Sequence, residues 1–409
     1  MESLTKTQLA IEGGKPFRTV NFPKWPFVGE RERELAMEVV NSQNWWRMSG
    51  KKVDEFEQKF ARAHAVKHCI GVTNGTHAIE LVLSALNIAA GDEVLVPAFT
   101  FISTATAVLY CNATPVPVDC DPGSFCMDPE SLEKYITPRT KAIIPVHMAG
   151  HVCDMDAIVA IAEKHGLEII EDAAHAHGAE WKGKKIGSFG IAATFSFQNG
   201  KIMTCGEGGA ILTNDDALFE KMFLIHGVGR PKYDREYKHI ELGSNYRMNE
   251  FQAAILLAQL ERLDEQNQLR QKHAKLLTGY LGEIEGIVPQ GIDPRVTVNP
   301  SYMYMFYYNP DCFDGLSRNE FVDVLNAEGI PAYRAYPLVH TVQFFREGNF
   351  RRSIEMDYTS FHLPHAERIA AEVVWLPHFV LLGNTEDLKD IYGAIKKIKE
   401  TYAGQSCSI

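Results

Sequence analysis

The chain has no run of about 18 apolar residues, so no membrane-spanning helix is expected. Its first residues, MESLTKTQLAIEGGKPF, lack the apolar core of a secretory leader. No basic cluster is longer than fragments such as KGKK at 182–185, and 41 basic against 52 acidic residues leave a net charge of −11. Nucleic acid is therefore not an expected partner. The eight cysteines, at 69, 111, 120, 126, 153, 205, 312 and 407, form no CxxC pair and no Cys/His grouping of zinc type. Reduced thiols in a cytoplasmic protein, without a structural metal, are the expectation. Internal repeats and low-complexity linkers are also missing.

What is present is a globular chain of 409 residues, 45% hydrophobic, long enough for a large domain with a smaller lobe. Between about 53 and 215, strand-like and helix-like segments alternate. GDEVLVPAFTF, ATPVPVD, KAIIPVH, LEIIED and ATFSF are short apolar runs closed by Pro, Gly, Asp or His. THAIELVLSAL (76–86) and MDAIVAIAEKHG (155–166) have helical spacing, the second with Gly166 past its end. Such alternation predicts an α/β fold with a mostly parallel sheet covered on both faces. From about 250 the pattern changes. A run of some 35 residues at helical spacing predicts a long connecting helix, followed by the aromatic strand SYMYMFYYN (301–309), a helix over RNEFVDVLNAEG and a final helix near 385–402. This places a large domain at 1–260 and a small carboxyl-terminal domain at 261–409.

The stretch ATFSFQNGKIMTCGEGGAI (193–211) sets Lys201 between an apolar run and a glycine cluster, where its charge needs compensation. Three other features fit around it. In VTNGTHAIEL (72–81), Asn74, Gly75 and Thr76 open a helix, whose free amides and dipole suit an anion. In LEIIEDAAHAHGA (167–179), a strand runs into Asp172, with His175 three residues on, at the strand end where parallel sheets gather ligands. In VPAFTFIST (96–104), Phe101 follows another strand end and can offer its face to a flat ring. Each also has a plain structural reading: a helix cap, a turn residue, a satisfied histidine, core packing. Together they describe an amine to form an imine, an acid for a pyridinium nitrogen, a stacking face and a phosphate cradle. That set is the equipment for pyridoxal 5′-phosphate. Gly206, Gly208 and Gly209 would let the backbone turn tightly beside it.

GTHAIEL, VPAFTFISTATAV, EDAAHAHGA, FSFQNGKIMTCGEGGAI and GSNYRMNEFQAAIL resemble, in order and spacing, the DegT/StrS family of fold-type I pyridoxal phosphate sugar aminotransferases, from FPKWP at 22 onward. The resemblance implies a mostly parallel seven-stranded sheet and a small carboxyl-terminal α/β domain. It also implies a homodimer with shared active sites. Carried over, Lys201 is the Schiff-base lysine, Asp172 the partner of the ring nitrogen and Phe101 the stacking residue. His175, often Gln in relatives, approaches the ring oxygen. Gly75, Thr76 and Ser196 form the phosphate cradle, and Asn245 is a contact donated by the neighbouring subunit.

The implied reaction moves an amino group from glutamate or glutamine to a keto-sugar or keto-cyclitol in secondary-metabolite or saccharide biosynthesis. Gln198 and Asn199 replace the His-Pro pair of many sugar enzymes, a departure shared with relatives acting on carbocyclic precursors. NWWRMSG (44–50), PVHMAG (145–150), DAAHAHGA and FSFQNGK resemble the aminohydroxybenzoate-synthase branch, which dehydrates and aromatises an amino-dehydroshikimate, whereas AYRAYPLVHTVQFF (332–345) resembles the sugar and cyclitol enzymes. Trp45, Trp46, Arg47, Arg230, Tyr333, Arg334 and His340 are open between substrate contact and structural roles.

Overall fold

The computed structural model describes residues 8–232, 234–350 and 354–402, so Cys407 and the first seven residues lie outside the described residues. The apolar runs form the central sheet. Its strands in chain order are β1 (His68–Val72), β2 (Glu93–Pro97), β3 (Thr114–Val118), β4 (Thr140–Ile143), β5 (Glu168–Asp172), β6 (Ala192–Ser196) and β7 (Gly209–Thr213). They lie side by side as β1-β7-β6-β5-β4-β2-β3. Only β7 runs against its neighbours, pairing antiparallel with both β1 and β6.

Two antiparallel pairings restore direction, so β1 runs with β6, β5, β4, β2 and β3. The carboxyl ends of these six strands therefore share one edge of the sheet, where ligands collect in such folds. The strands are apolar on both faces because both are covered. Ile169 packs into one core and Ile170 into the other; Leu95 and Val96 divide in the same way.

Helices at Gly75–Ala85 and Met155–His165 match the expected segments, and Gly166 closes the second in the left-handed region at φ 65°. The expected 35-residue helix is instead two, Glu250–Glu261 and Leu263–Leu281, broken at Arg262 (φ −115°). No glycine or proline marks the break. At the break the Arg262 side chain is held by tertiary contacts, donating to Glu32 and to the carbonyl of Phe27 (3.1 Å).

Beyond it, β8 (Ile287–Pro289), β9 (Met303–Tyr308), β10 (Tyr333–Arg334) and β11 (Val373–Pro377) make an antiparallel sheet in the order β8-β9-β11-β10. Helices Arg318–Ala327 and Thr385–Thr401 contribute to its core. The amino-terminal turn packs there too: Leu9 is buried in that core, and Arg18 pairs with Asp387 and Asp390, each at 2.6 Å.

Six cysteines, 69, 111, 120, 126, 153 and 205, are free thiols. Cys312 is disulfide-bonded, which corrects the expectation of an all-thiol chain at this position. The final helix runs past it, with Lys399 donating to the Cys312 carbonyl. Among the described residues, no helix is long and apolar enough to cross a membrane.

Candidate active site

Four loops leave the shared carboxyl edge and enclose a cavity of about 630 Å³. After β1, Asn74 caps the helix by accepting from the His77 amide (2.8 Å). The amides of Gly75 and Thr76 have no partner among the described residues, as expected for a helix start. Thr76 Oγ1 donates to Ser103 Oγ (2.9 Å), so hydroxyls from two loops join those amides. Packing is tight: a Cβ on Gly75 would stand 2.8 Å from the Ser196 Cβ. The result is a compact anion cradle of helix N-terminus and hydroxyls.

After β2 comes Phe101, 52% exposed although Ala98, Phe99 and Thr100 before it are buried. An aromatic face left open inside a cavity is a surface for a flat ligand. The last residue of β5 is Asp172. Thr104 donates to one carboxylate oxygen (2.9 Å) and the Ala174 amide to the other (3.2 Å). Burial raises the Asp172 pKa, against the opposing effects of Thr104, the Ala174 amide and Lys201. Its neighbour Glu171 points to the opposite face, where it accepts the amides of Gly187, Phe189 and Gly190 beside His147. Glu171 is thus a structural anchor.

His175 accepts from the Ala149 amide at Nδ1 (3.4 Å), and burial, reinforced by Lys201 and His177, keeps the ring neutral. The hairpin between β6 and β7 carries Lys201. It is pinned by Phe197 to Gly208 (2.8 Å), Cys205 to Phe197 (3.1 Å) and the Lys201 amide to the Gln198 carbonyl (2.9 Å). Burial lowers the Lys201 pKa to about 8, with Asp172 opposing the shift.

Gly75, Thr76, Phe101, Asp172, His175, Ser196 and Lys201 therefore meet in one cavity. Asn245 does not. It stands exposed on the outer strand-like segment, bridged to Gly227. Several open residues have ion-pair partners: Arg47 forms a bidentate buried pair with Glu57 (2.6 and 2.9 Å), Arg230 pairs with Asp234 and Arg334 with Asp323. His340 is buried outside the cavity, whereas Trp45, Trp46 and Tyr333 are exposed.

Among the cavity residues that sequence reasoning misses are Thr104, Tyr302 and Tyr336. Thr104 lies inside VPAFTFIST, beside Ser103 at the start of a helix, and its register to Asp172 is a tertiary fact. Tyr302 and Tyr336 come from the carboxyl-terminal part, and no local pattern separates them from core aromatics.

A seven-stranded sheet of this order, with a lysine on the hairpin beyond its sixth strand, is the architecture of a fold-type I aminotransferase. The chain belongs to the DegT/DnrJ/EryC1/StrS aminotransferase family, whose profile matches residues 27–396. It is 45% identical to the 3-amino-5-hydroxybenzoate synthase of Amycolatopsis mediterranei (strain S699), over 90% of this chain and 94% of the relative. It is 38% identical to the L-glutamine:2-deoxy-scyllo-inosose aminotransferase of Micromonospora echinospora, over 96% and 98%. Among solved structures, a 3-amino-5-hydroxybenzoic acid synthase superposes with a TM-score of 0.86 at 42% identity, covering 95% of this chain and 99% of that one. An aminotransferase from Psychrobacter cryohalolentis superposes with a TM-score of 0.82 at 31% identity, covering 92% and 98%.

Proposed function

We propose that this aminotransferase uses pyridoxal 5′-phosphate to take an amino group from glutamine or glutamate and deliver it to a cyclic ketone, a keto-cyclitol or keto-sugar. The observation that carries the reading is the convergence of an unpaired amine, a buried carboxyl, an open aromatic face and an anion cradle on one cavity. The residues fit the cofactor in size and chemistry. Gly75, Thr76 and Ser196 would hold its phosphate, Phe101 its ring face, Asp172 its ring nitrogen, and His175 would lie near the ring oxygen.

When bound, pyridoxal phosphate supplies an aldehyde that captures amines and a ring that accepts electrons from a broken C–H bond. The chain supplies the rest. Lys201 Nζ, with a pKa near 8, exists in both protonation states at neutral pH and so can take the proton from the donor's α-carbon and return it later. Asp172, held by Thr104 and the Ala174 amide, stabilises positive charge at the cofactor's nitrogen. Glutamine is the donor in the names of the scyllo-inosose relatives, which supports that choice here. The working form in this reading is a cytoplasmic homodimer in which Asn245 reaches the partner's cavity. Its large part runs to about residue 260, with a small part beyond.

An absorbance spectrum of the purified protein, before and after L-glutamine or L-glutamate and beside Lys201→Ala, tests the proposal. A band near the visible edge that moves toward the ultraviolet with the donor, and is absent from the variant, is expected. Failure of amino transfer with every donor, in a protein that retains the cofactor, would sink it.

A second reading has one specific support, the 45% identity to 3-amino-5-hydroxybenzoate synthase. In it, the same lysine removes an α-proton from a cyclic amino-enone and the ring expels water, so no amino donor is consumed. An aromatic ultraviolet band appearing from such a substrate without added donor would select it.

A further inference from the structure

Among the described residues, Lys201 Nζ has no hydrogen bond and no ion pair. Nζ lies over an aromatic face, 4.6 Å from the centroid of Tyr302, inside the range in which such a face attracts a cation. Two imidazoles neighbour that ring. The His175 ring lies 4.4 Å from it at 35° and the His378 ring 6.0 Å from it at 27°. Burial is the first cause that keeps both imidazoles neutral. The backbone is set firmly: Ser301 adopts φ 49° and donates to Asn299 Oδ1 (2.8 Å), a tight turn that places Tyr302 at the mouth of β9.

We propose that Tyr302 is a positioning residue for Lys201, its aromatic face holding the free ε-ammonium above it. The inference rests on Lys201 being the reacting amine of the function proposed above. The charged and titratable groups around that amine are His77 from the helix after β1, Asp172 and His175 with His177 from β5 and its following loop, Glu207 from the hairpin, Tyr302 and Tyr336 from the carboxyl-terminal part, and His378 beside Tyr302 with Arg270 near it. Of these, Asp172 and Glu207 are the carboxylates. Asp172 is committed to the cofactor nitrogen in the proposed function, and Glu207 makes no ion pair with Lys201 among the described residues. The Tyr302 face supplies attraction without a competing negative charge. It keeps a displaced lysine over the site and favours its protonated form.

The test reads Lys201 itself. In the full-length cofactor-free chain, carbamylation of Lys201 by cyanate is followed against pH by mass spectrometry of its peptide, which requires no amino transfer and so separates this inference from the proposed function. Tyr302→Phe keeps the face and is expected to titrate as the parent. Phenylalanine with one, two and three ring fluorines at position 302 keeps the shape while draining the face. The midpoint is expected to fall stepwise, by about half to one and a half pH units over the series. Tyr302→Leu, verified as folded by circular dichroism, is expected to fall as far. A midpoint that ignores fluorination overturns the inference. So does a shift in Tyr302→Phe alone as large as in the leucine variant, since that would assign the effect to the hydroxyl.

Discussion

Gly209→Ala adds one methyl group at the first residue of β7, between Val72 of β1 and Ser196 of β6. Its φ is not in the left-handed region, so alanine meets no backbone strain there. The obstacle is contact: the new Cβ would lie 2.5 Å from the carbonyl carbon and oxygen of Asn74 and 3.0 Å from the Gly75 nitrogen. All three are backbone atoms and cannot rotate aside. The helix start must retreat by about 1 Å, an overpacking that costs about 1–3 kcal/mol of folding stability. The same retreat moves the Gly75 and Thr76 amides off a bound phosphate. Losing one hydrogen bond to a charged group costs about 1.5–3 kcal/mol, which weakens pyridoxal phosphate binding about 10- to 100-fold.

Gly206, three residues earlier in the same motif, is the control. It sits at φ +89°, and an added methyl group would meet nothing within 4 Å, so Gly206→Ala bears backbone strain of about 1–2 kcal/mol and no clash. Urea unfolding and a spectroscopic titration with pyridoxal phosphate separate the two. Both variants are expected to lose stability, and Gly209→Ala to lose far more cofactor affinity. Unchanged affinity in Gly209→Ala, with the stability loss present, would refute the cradle as the phosphate site.

Lys201→Met should stabilise the cofactor-free chain. The folded pKa, near 8, lies below the unfolded value of about 10.4, so the unfolded state binds more protons between these two values and stability rises with pH across that window. Below pH 8 the lysine therefore costs about 1–3 kcal/mol, a gain for the methionine variant that shrinks toward pH 10.5 and is readable by urea unfolding at several pH values. Arg47→Met leaves Glu57 buried without its partner and should cost about 3–5 kcal/mol in the same assay. The cofactor affinity of the folded fraction stays unchanged if Arg47 is structural. Phe101→Ala, at a half-exposed position, should leave unfolding nearly untouched and weaken pyridoxal phosphate by about 3- to 10-fold, measured by titration.

The legible part of this protein is the part that one strand end can carry. Asp172, Phe101 and Lys201 each follow an apolar run closed by a breaker, and a parallel sheet sends every such end to one edge, so local reading also predicts a shared site. Gly75 and Thr76 are legible for the same reason, because a helix start announces itself in its cap. The break at Arg262 is not, since no glycine or proline marks it and the partners of Arg262, Glu32 and Phe27, lie more than two hundred residues away. Thr104 sits in a legible stretch without its role being legible: its value is a hydroxyl 2.9 Å from Asp172, and that distance depends on β4 lying between β2 and β5.

Tyr302 shows where the boundary falls. Within SYMYMFYYN the residues from 302 to 308 are all apolar or aromatic, and Met303, Tyr304, Met305 and Phe306 are buried as a covered strand requires. Tyr302 differs from them by standing one position outside β9, after a turn whose φ of 49° at Ser301 no composition reveals. A single residue of slip into the ladder would carry its ring to the other face of the sheet, away from Lys201. The chemistry of the lysine thus depends on where a strand begins, which is the feature that sequence patterns specify least and that the Asn299 to Ser301 hydrogen bond settles.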